Sequence, residues 1–373
     1  MPTFTEIAEH AKVSPVVCSL PKLASFYLDD LAVYTSLDNF HHDLYDPDYR
    51  FEEDVVIDTD EHHPDYVRLS CDEEPVSPQL NEVVDWSDRE HHDRLRRELL
   101  PQSGLKDYIL RNVIGETVVV LLIVDGLSYE SIRTTNLPVQ PVIVDGITTT
   151  EPGFKRIIYG NDNVSLYSEL LHKKNFANKL GFTYWARGQE ELSTDLHASM
   201  GNDIRRIRDF SEAIEYLSNN SPLTNRTYIQ ITRMGLDQES HNKKEAPNQE
   251  AVIENIVEDI RKLESELSKQ ERSYKIFATS DHGILWRTQL PDRPNVVIDD
   301  YKHQPRYVTG REKVPHSMTL TDSEGEIVSG LAYPYLARDF KHTEWGVHGG
   351  FSYYESVVPL IELASKHKDG DSK

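Results

Sequence analysis

TVVVLLIVDG, residues 117–126, is the stretch of sequence that decides the fold. Its residues 118–124 are all β-branched or aliphatic, and the run stops at an Asp-Gly pair. A half-exposed strand alternates apolar and polar residues, whereas a strand buried on both faces of a parallel sheet does not. The run therefore predicts the central strand of a parallel sheet.

Three more apolar runs follow, at residues 139–144 (VQPVIV), 227–232 (TYIQIT) and 274–279 (YKIFAT). Between them lie helical stretches, most clearly residues 248–269, where apolar positions keep to one face of a 3.6-residue period. Strands that alternate with amphipathic helices are typical of α/β folds. We predict a doubly wound, mostly parallel sheet with helices on both faces.

The chain changes character along its length. Residues 1–115 are acidic and poor in buried-strand patterns, and they end in a charged, helix-like stretch at 86–110. We interpret them as an N-terminal extension or cap. Residues 116–365 form the predicted α/β domain, and residues 366–373 are a polar tail.

Within that domain, residues 283–345 are interrupted by Pro and Gly and contain one candidate hairpin, MTLTDSEGEIVSGLAY. Loop-rich insertions of this length more often serve function than packing. We therefore expect the insertion to act as a lid.

The composition is strongly acidic. The 373 residues include 63 Asp and Glu against 40 Lys and Arg, a formal net charge of −23. Such a field repels nucleic acid and anionic membranes, so direct nucleic-acid binding and membrane association are disfavoured. Two cysteines without C-x-x-C spacing, Cys18 and Cys71, give no disulfide framework. With no long apolar run or secretory leader pattern, we expect a soluble, cytoplasmic protein.

Metal-ligand residues follow the predicted strands. In an open parallel sheet, ligands bind beyond the carboxyl ends of the strands, so the residues after each apolar run are the ones to inspect. Asp oxygen and His nitrogen suit Zn²⁺, Mn²⁺ and similar ions. The candidates are Asp125, Asp237, His241, Asp281, His282 and His348.

Each candidate has an ordinary alternative. Asp125 can be a helix N-cap, the Asp237 and His241 pair a solvated helix face, and the Asp281-His282 dipeptide a solvated loop. All of them fall at one predicted edge of the sheet, which favours a shared site.

The order of these motifs resembles a known superfamily. Asp-Gly after the first strand, then D-x-x-x-H, S-D-H-G and H-G-G-x-S-x-x-E-x-x-V-P-L-I are similar to the alkaline phosphatase superfamily, in particular its nucleotide pyrophosphatase/phosphodiesterase type. The closing HGGFSYYESVVPLIEL looks most like the PglZ family of phage-defence (BREX-type) clusters. The resemblance covers residues 117–363 and leaves the first 115 residues unexplained.

The resemblance implies an alkaline-phosphatase-like catalytic domain with two divalent metal ions, Zn²⁺ or Mn²⁺. It assigns one ion to Asp125, Asp281 and His282, and the other to Asp237, His241 and His348. It also implies a phosphate ester as substrate, a nucleotide among the candidates, and proteins of a defence system as partners.

The nucleophile implied by the resemblance is a Thr or Ser that opens a helix after the second strand. The segment GITTTEPGFKRIIYG offers three threonines, and the phosphodiesterase spacing to Pro152 and Gly160 selects Thr150. An ordinary strand end with a capping Thr is the alternative. The family's usual Asn is replaced by Gly153, so the phosphoryl group must be held elsewhere.

Several basic residues are weak candidates for substrate binding, with plain surface charge as the alternative. The candidates are Lys155, Arg156 and Arg187, with Arg287, Arg306 and Arg311 in the insertion. The adjacent histidine pairs of residues 1–115 are interpreted as solvated surface, because neighbouring side chains point apart.

The sequence thus supports a two-metal phosphoester hydrolase that uses a Thr nucleophile. The competing hypothesis is a catalytically weak PglZ-like scaffold that binds metal and the partner proteins of a defence complex. A metal-independent nucleotide-binding domain ranks last, because no Gly-rich phosphate loop accompanies the strand. The choice between monoesters and diesters stays open.

Overall fold

A computed structural model of the chain divides into two compact units, Met1–Asp85 and Trp86–Lys373. It describes residues 3–28, 31–49, 54–61, 63–71, 74–184, 204–207, 209–220, 223, 225–270, 272–292, 295–299, 303–321 and 325–365.

The first unit is a small α/β fold. Its strands are β1 Val16–Ser19, β2 Leu31–Tyr34, β3 Asp54–Asp58 and β4 Val67–Ser70, and its helices are α1 Phe4–Ala11, α2 Ala24–Tyr27, α3 Leu37–Leu44 and α4 Leu80–Val83. The strands form a parallel sheet in the order β2-β3-β1-β4. Successive residues Val16 and Val17 of β1 enter different apolar clusters, so the unit has its own core. This sheet was not predicted, because its strands are short and separated by acidic loops.

The second unit holds the remaining elements. Its strands are β5 Leu100–Pro101, β6 Val118–Val124, β7 Val139–Ile143, β8 Asn178–Tyr184, β9 Ile204–Arg206, β10 Thr227–Arg233, β11 Tyr274–Ser280, β12 Leu285–Trp286, β13 Tyr307–Thr309, β14 Ser317–Thr321, β15 Ile327–Leu331, β16 Gly346–Val347 and β17 Val357–Ala364. Its α-helices are α5 Arg89–Glu98, α6 Leu105–Asn112, α7 Tyr129–Ile132, α8 Thr150–Tyr159, α9 Leu166–Lys174, α10 Phe210–Asn219, α11 Asp237–Ser240, α12 Gln249–Ser268 and α13 Tyr353–Ser356. Short 3₁₀ turns lie at Gln102–Gly104 and Arg287–Gln289.

The main sheet has eight strands in the order β5-β7-β17-β11-β6-β10-β8-β9. Every neighbouring pair is parallel except those that involve β17. The predicted fold class is therefore confirmed, with the stretch at 118–124 as an internal strand. The predicted strands β7, β10 and β11 and the predicted helix α12 are also found, each within two residues of its expected ends.

Both faces of β6 are buried, as its unbroken apolar run predicts. Val118, Val120 and Leu122 enter one apolar cluster, which includes residues of α10 and α12. Their neighbours Val119 and Leu121 enter a second cluster, with residues of α6, α8 and α9. Helices thus cover the two faces of the sheet.

The division between the units falls after Asp85, upstream of the boundary predicted at 115. Strand β5 pairs with β7, and α6 buries Leu105 and Ile109 in the core of the second unit. Residues 86–115 were not predicted to belong to the second unit, because their few apolar positions are scattered among charged ones.

The insertion at 283–345 is partly a folded element. The predicted hairpin forms from β14 and β15, and β13 completes a three-stranded antiparallel sheet. Val308 and Leu331 of this sheet are fully buried. The predicted polar tail, residues 366–373, lies outside the described residues. Among the described helices, none combines the length and apolar character needed to cross a membrane.

Candidate metal centre

The six predicted ligands converge at the carboxyl edge of the main sheet. Within the described parts of the chain, two groups of His, Cys, Asp or Glu have ligand atoms within 4.8 Å of one another. The groups are Asp125, Asp281 and His282, and Asp237, His241 and His348. Each group has the composition that the resemblance assigned to one ion.

The first group is fully buried. Asp125 follows β6 directly, and Asp281 and His282 follow the neighbouring strand β11. The Gly126 amide donates to Asp281 Oδ1 at 3.1 Å. Among the described residues, Asp125 Oδ1 and Asp281 Oδ2 have no hydrogen-bond partner, although both atoms are buried.

Unpaired buried carboxylate oxygens are costly, because they lose hydration without a replacement. Here both oxygens lie 3.6 Å from His282 Nε2. His282 Nδ1 donates to the Gly283 carbonyl at 3.0 Å, so Nε2 is the nitrogen that presents its lone pair. Two bare oxygens and one nitrogen lone pair fit a divalent cation.

The second group is more open. Asp237 begins α11, and its Oδ1 lies 3.3 Å from Nε2 of both His241 and His348. His348 Nδ1 donates to the Thr148 carbonyl at 3.0 Å, which turns Nε2 towards Asp237. A backbone acceptor on the far nitrogen is how metal-binding histidines are usually oriented.

The two groups adjoin. The rings of His282 and His348 stack with their centroids 4.0 Å apart. The short antiparallel pair of β12 and β16 brings His348 back to the loop that carries His282. This pairing joins positions far apart in sequence and has no signature in the sequence itself.

The carboxylates of the first group favour their protonated forms in the metal-free protein. Burial raises the pKa of Asp281 to about 7, and repulsion from Asp237 is the second effect that raises it. Burial and the charge of Asp281 raise the pKa of Asp125 well above its usual value. Burial also lowers the pKa of His282 to about 3, so this imidazole is neutral.

We predict that cation binding at this group weakens as the pH falls below about 7. A carboxylic acid must lose its proton to bind a cation, so each competing proton costs about tenfold in affinity per pH unit below the pKa. Calorimetric titrations of Zn²⁺ or Mn²⁺ at pH 6, 7 and 8 measure this effect. An affinity that does not change over that range would contradict the raised pKa of Asp281.

Thr150 is the first residue of α8, and its half-buried hydroxyl lies beside the first group. Its Oγ1 lies 3.1 Å from His282 Nε2. The Thr148 hydroxyl is already engaged, since it donates to Gly350 O and accepts from the Gly349 amide. Thr149 is the N-cap residue of α8, but its side chain makes no capping hydrogen bond. Thr150 therefore presents its hydroxyl to a predicted ligand, whereas Thr148 contacts His348 only through its backbone carbonyl.

Gly153 holds α8 against the loop of Asp281. A Cβ at this position would lie 2.4 Å from the Asp281 carbonyl oxygen, a backbone atom that cannot move alone. We predict that Gly153→Ala destabilises the protein by about 1–3 kcal/mol and displaces Thr150. Gly115→Ala is the matched control, since its Cβ would meet nothing within 4 Å. Urea unfolding of both variants tests this, and equal stabilities would contradict it.

The predicted substrate-binding residues have varied surroundings. Lys155 pairs with Glu151 at 2.5 Å. Arg156 donates to Gln102 Oε1 and to the Ile147 carbonyl. Arg187 lies outside the described residues.

The basic residues of the insertion differ from one another. Arg311 is exposed, whereas Arg287 lies over the rings of Phe340 and Trp345. Arg306 is fully buried, so neither the substrate-binding interpretation nor the surface-charge alternative holds for it.

A cavity of about 950 Å³ lies beside α8. Its volume lies at the upper end of the range typical of small-molecule binding pockets. One wall belongs to the helix that begins with Thr150, and the other belongs to the three-stranded sheet of the insertion. Its lining includes Pro152, Lys155, Arg156, Tyr307, Leu320 and Val328.

Sequence reasoning missed the burial of two polar residues, Gln102 and His92, of which Gln102 supports the site. Gln102 donates to the carbonyls of Ser280 and Asp281, and so holds the loop of the first group. His92 is 5% exposed and bonds the Trp86 carbonyl, which corrects its interpretation as solvated surface. Neither residue sits in a recognisable motif.

The chain has an alkaline-phosphatase-like α/β fold, and two groups of Asp and His that could each hold a metal ion lie at the carboxyl edge of its main sheet. Residues 206–363 match the family model of the BREX system PglZ alkaline phosphatase-like domain. The resemblance predicted from the sequence, to the alkaline phosphatase superfamily and to PglZ within it, is thereby confirmed. Asp125 and Thr150 lie upstream of the matched residues, so the match does not test the roles predicted for them.

Several solved structures are similar to this chain, all at low identity. Murine ectonucleotide pyrophosphatase/phosphodiesterase 5, in an inactive form with AMP, is 12% identical with a TM-score of 0.40, covering 65% of this chain and 87% of that one. Phosphonoacetate hydrolase from Sinorhizobium meliloti 1021, with phosphonoacetate, is 12% identical with a TM-score of 0.43, covering 69% and 92%. TAB5 alkaline phosphatase is 11% identical with a TM-score of 0.32, covering 66% and 91%. A search of curated proteins found no significant match.

Proposed function

We propose that this protein is a phosphoester hydrolase that depends on two divalent cations, Zn²⁺ or Mn²⁺, and uses Thr150 as its nucleophile. The observation that carries the proposal is the meeting of two three-ligand groups beside one threonine hydroxyl. The unpaired oxygens of Asp125 and Asp281 support it, because a cation supplies the partner that they lack.

When bound, cations at the two groups lower the pKa of an adjacent hydroxyl and neutralise charge on the phosphoryl group. Thr150 Oγ then forms a bond to phosphorus while the bond from phosphorus to the leaving oxygen breaks. The proton lost by Thr150 is balanced by the one that the departing alcohol gains. Water next attacks the phosphorylated Thr150, releases the phosphate product and restores the hydroxyl.

The position of Thr150 suits this role. As the first residue of α8 it stands at the positive end of a helix, where backbone amides without helical partners can receive a phosphoryl oxygen. The cavity beside the same helix can take the group attached to the phosphate. Positive charge from the cations would also offset the net charge of −23 for an anionic substrate.

We further propose that the reaction serves phage defence, with proteins of that system as partners, and the match of residues 206–363 to a BREX-system domain supports this. The substrate class is a phosphate ester, a nucleotide among the candidates.

The test is hydrolysis of p-nitrophenyl phosphate and bis-p-nitrophenyl phosphate by metal-stripped protein supplied with Zn²⁺, Mn²⁺ or Mg²⁺. We expect turnover that requires metal in the wild type and is lost in Thr150→Ala and Asp281→Ala. If both variants match the wild type, the assigned site is wrong. If metal binds stoichiometrically but no ester is hydrolysed, the competing scaffold function is favoured.

A further inference from the structure

The insertion and the closing sequence motif share a fully buried ion pair. Arg306 lies in the insertion and Glu355 in the motif HGGFSYYE, and the side chain of each is 0% exposed. Arg306 Nε lies 3.1 Å from both carboxylate oxygens, and Nη2 lies 2.8 Å from Oε2. The proposed reaction uses neither residue directly.

Both side chains of the pair make further hydrogen bonds. The remaining Arg306 donors reach the carbonyls of Ala332, Tyr335 and Phe351. Glu355 also accepts from the Ser352 hydroxyl at 2.6 Å. A buried ion pair gives little net stability compared with apolar residues of the same volume. The role of this pair is therefore to be found in the groups that its directional hydrogen bonds hold in place.

Those hydrogen bonds lead to His348. Glu355 Oε1 accepts from the Gly350 amide at 3.0 Å. The Gly350 carbonyl accepts from the Thr148 hydroxyl at 2.8 Å, and that hydroxyl accepts from the Gly349 amide at 2.9 Å. The Thr148 carbonyl in turn accepts His348 Nδ1–H.

Close packing reinforces the link. A Cβ on Gly350 would lie 2.7 Å from Arg306 Nε and 2.5 Å from the Leu331 carbonyl oxygen. The backbone next to His348 therefore lies directly against the guanidinium group. Position 350 has no room for a side chain while Arg306 occupies this place.

We propose that Arg306 and Glu355 are positioning residues that fix His348 as a ligand of the cation bound with Asp237 and His241. This inference rests on the proposed function, because it requires a cation at that group. Through this pair the insertion is joined to the metal centre. Outer partners of metal ligands typically contribute 10–100-fold to metal affinity.

The test is calorimetric titration of Zn²⁺ into metal-free wild type, Glu355→Gln and the double variant Arg306→Met/Glu355→Leu. We expect both variants to bind one equivalent about 10–100-fold more weakly and the other within about threefold of the wild type. The double variant removes both charges, so it leaves no unpaired buried ion if the single variant fails to fold. A solely structural pair would change both equivalents together or neither.

Lys275→Met is the matched control. Lys275 pairs with Glu362 at 2.7 Å near the start of β11, at the opposite end of that strand from Asp281. It should bind both equivalents within about threefold of the wild type.

Two results would overturn the inference: wild-type affinity at both equivalents in a folded variant, or equal losses at both. A failure of the proposed function is recognised separately, because the wild type itself would then not bind two cations.

Discussion

Thr150→Ala is expected to lower kcat/KM for phosphoester hydrolysis by about 10³-fold or more while both cations remain bound. The substitution removes the hydroxyl that lies 3.1 Å from His282 Nε2 but no ligand atom of either group. Metal stoichiometry and thermal stability should therefore stay close to those of the wild type. Steady-state kinetics with bis-p-nitrophenyl phosphate, alongside metal analysis of the same samples, measure both expectations.

Two matched variants sharpen this result. Thr150→Ser keeps a hydroxyl and should keep measurable turnover. Thr149→Ala alters the adjacent N-cap, whose side chain makes no capping hydrogen bond, and should change kcat/KM by less than about tenfold. A Thr150→Ala enzyme that turns over like the wild type would exclude Thr150 as the nucleophile.

Asp281→Asn should have opposite effects on metal binding and on metal-free stability. It should weaken one cation equivalent by more than about 100-fold and lower activity by more than about 10³-fold, because a carboxylate ligand is lost. At pH 8 it should stabilise the metal-free protein by on the order of 2 kcal/mol, because a buried charge is removed.

The pH dependence of that stabilisation has a defined sign. The pKa of Asp281 is raised by burial to about 7, so the stability contributed by its protonated form is lost as the pH rises from about 4 through 7. The advantage of Asp281→Asn should therefore be largest at pH 8 and shrink towards pH 5. Urea unfolding at both values, with chelator present, measures it.

Asp209→Asn is the control for Asp281→Asn. Asp209 caps α10 through the Glu212 amide, and Asn caps helices equally well, so no change in metal binding is expected. If Asp281→Asn destabilises the metal-free protein at pH 8, the Asp281 carboxylate does not carry the cost of burial inferred for it.

The sequence predicted the sheet because its strands are buried on both faces. The run of β6 contains no polar residue, and a short unbroken apolar run of this kind indicates a strand buried on both faces. The ligand positions could also be predicted, since residues that follow parallel strands share one edge. Asp125 and Asp281 are therefore neighbours in space although they lie far apart in the chain.

The supporting contacts could not be predicted, because they depend on pairings without a local pattern. The short ribbon of β12 and β16 places His348, and Gln102 reaches Asp281 from a segment interpreted as part of the N-terminal extension. The S-x-x-E pattern at Ser352 and Glu355 is typical of a helix N-terminus, and the Ser352 hydroxyl does accept from the Glu355 amide. Nothing in it shows that Glu355 would face a buried arginine.

The measurement that tests the central claim most directly is anomalous diffraction, at the zinc or manganese edge, from crystals grown with either ion. We predict two peaks about 4 Å apart. One should be bound by Asp125, Asp281 and His282, the other by Asp237, His241 and His348, with Thr150 Oγ beside the pair. No peak at these six residues under saturating metal, or a metal bound elsewhere, would contradict the account.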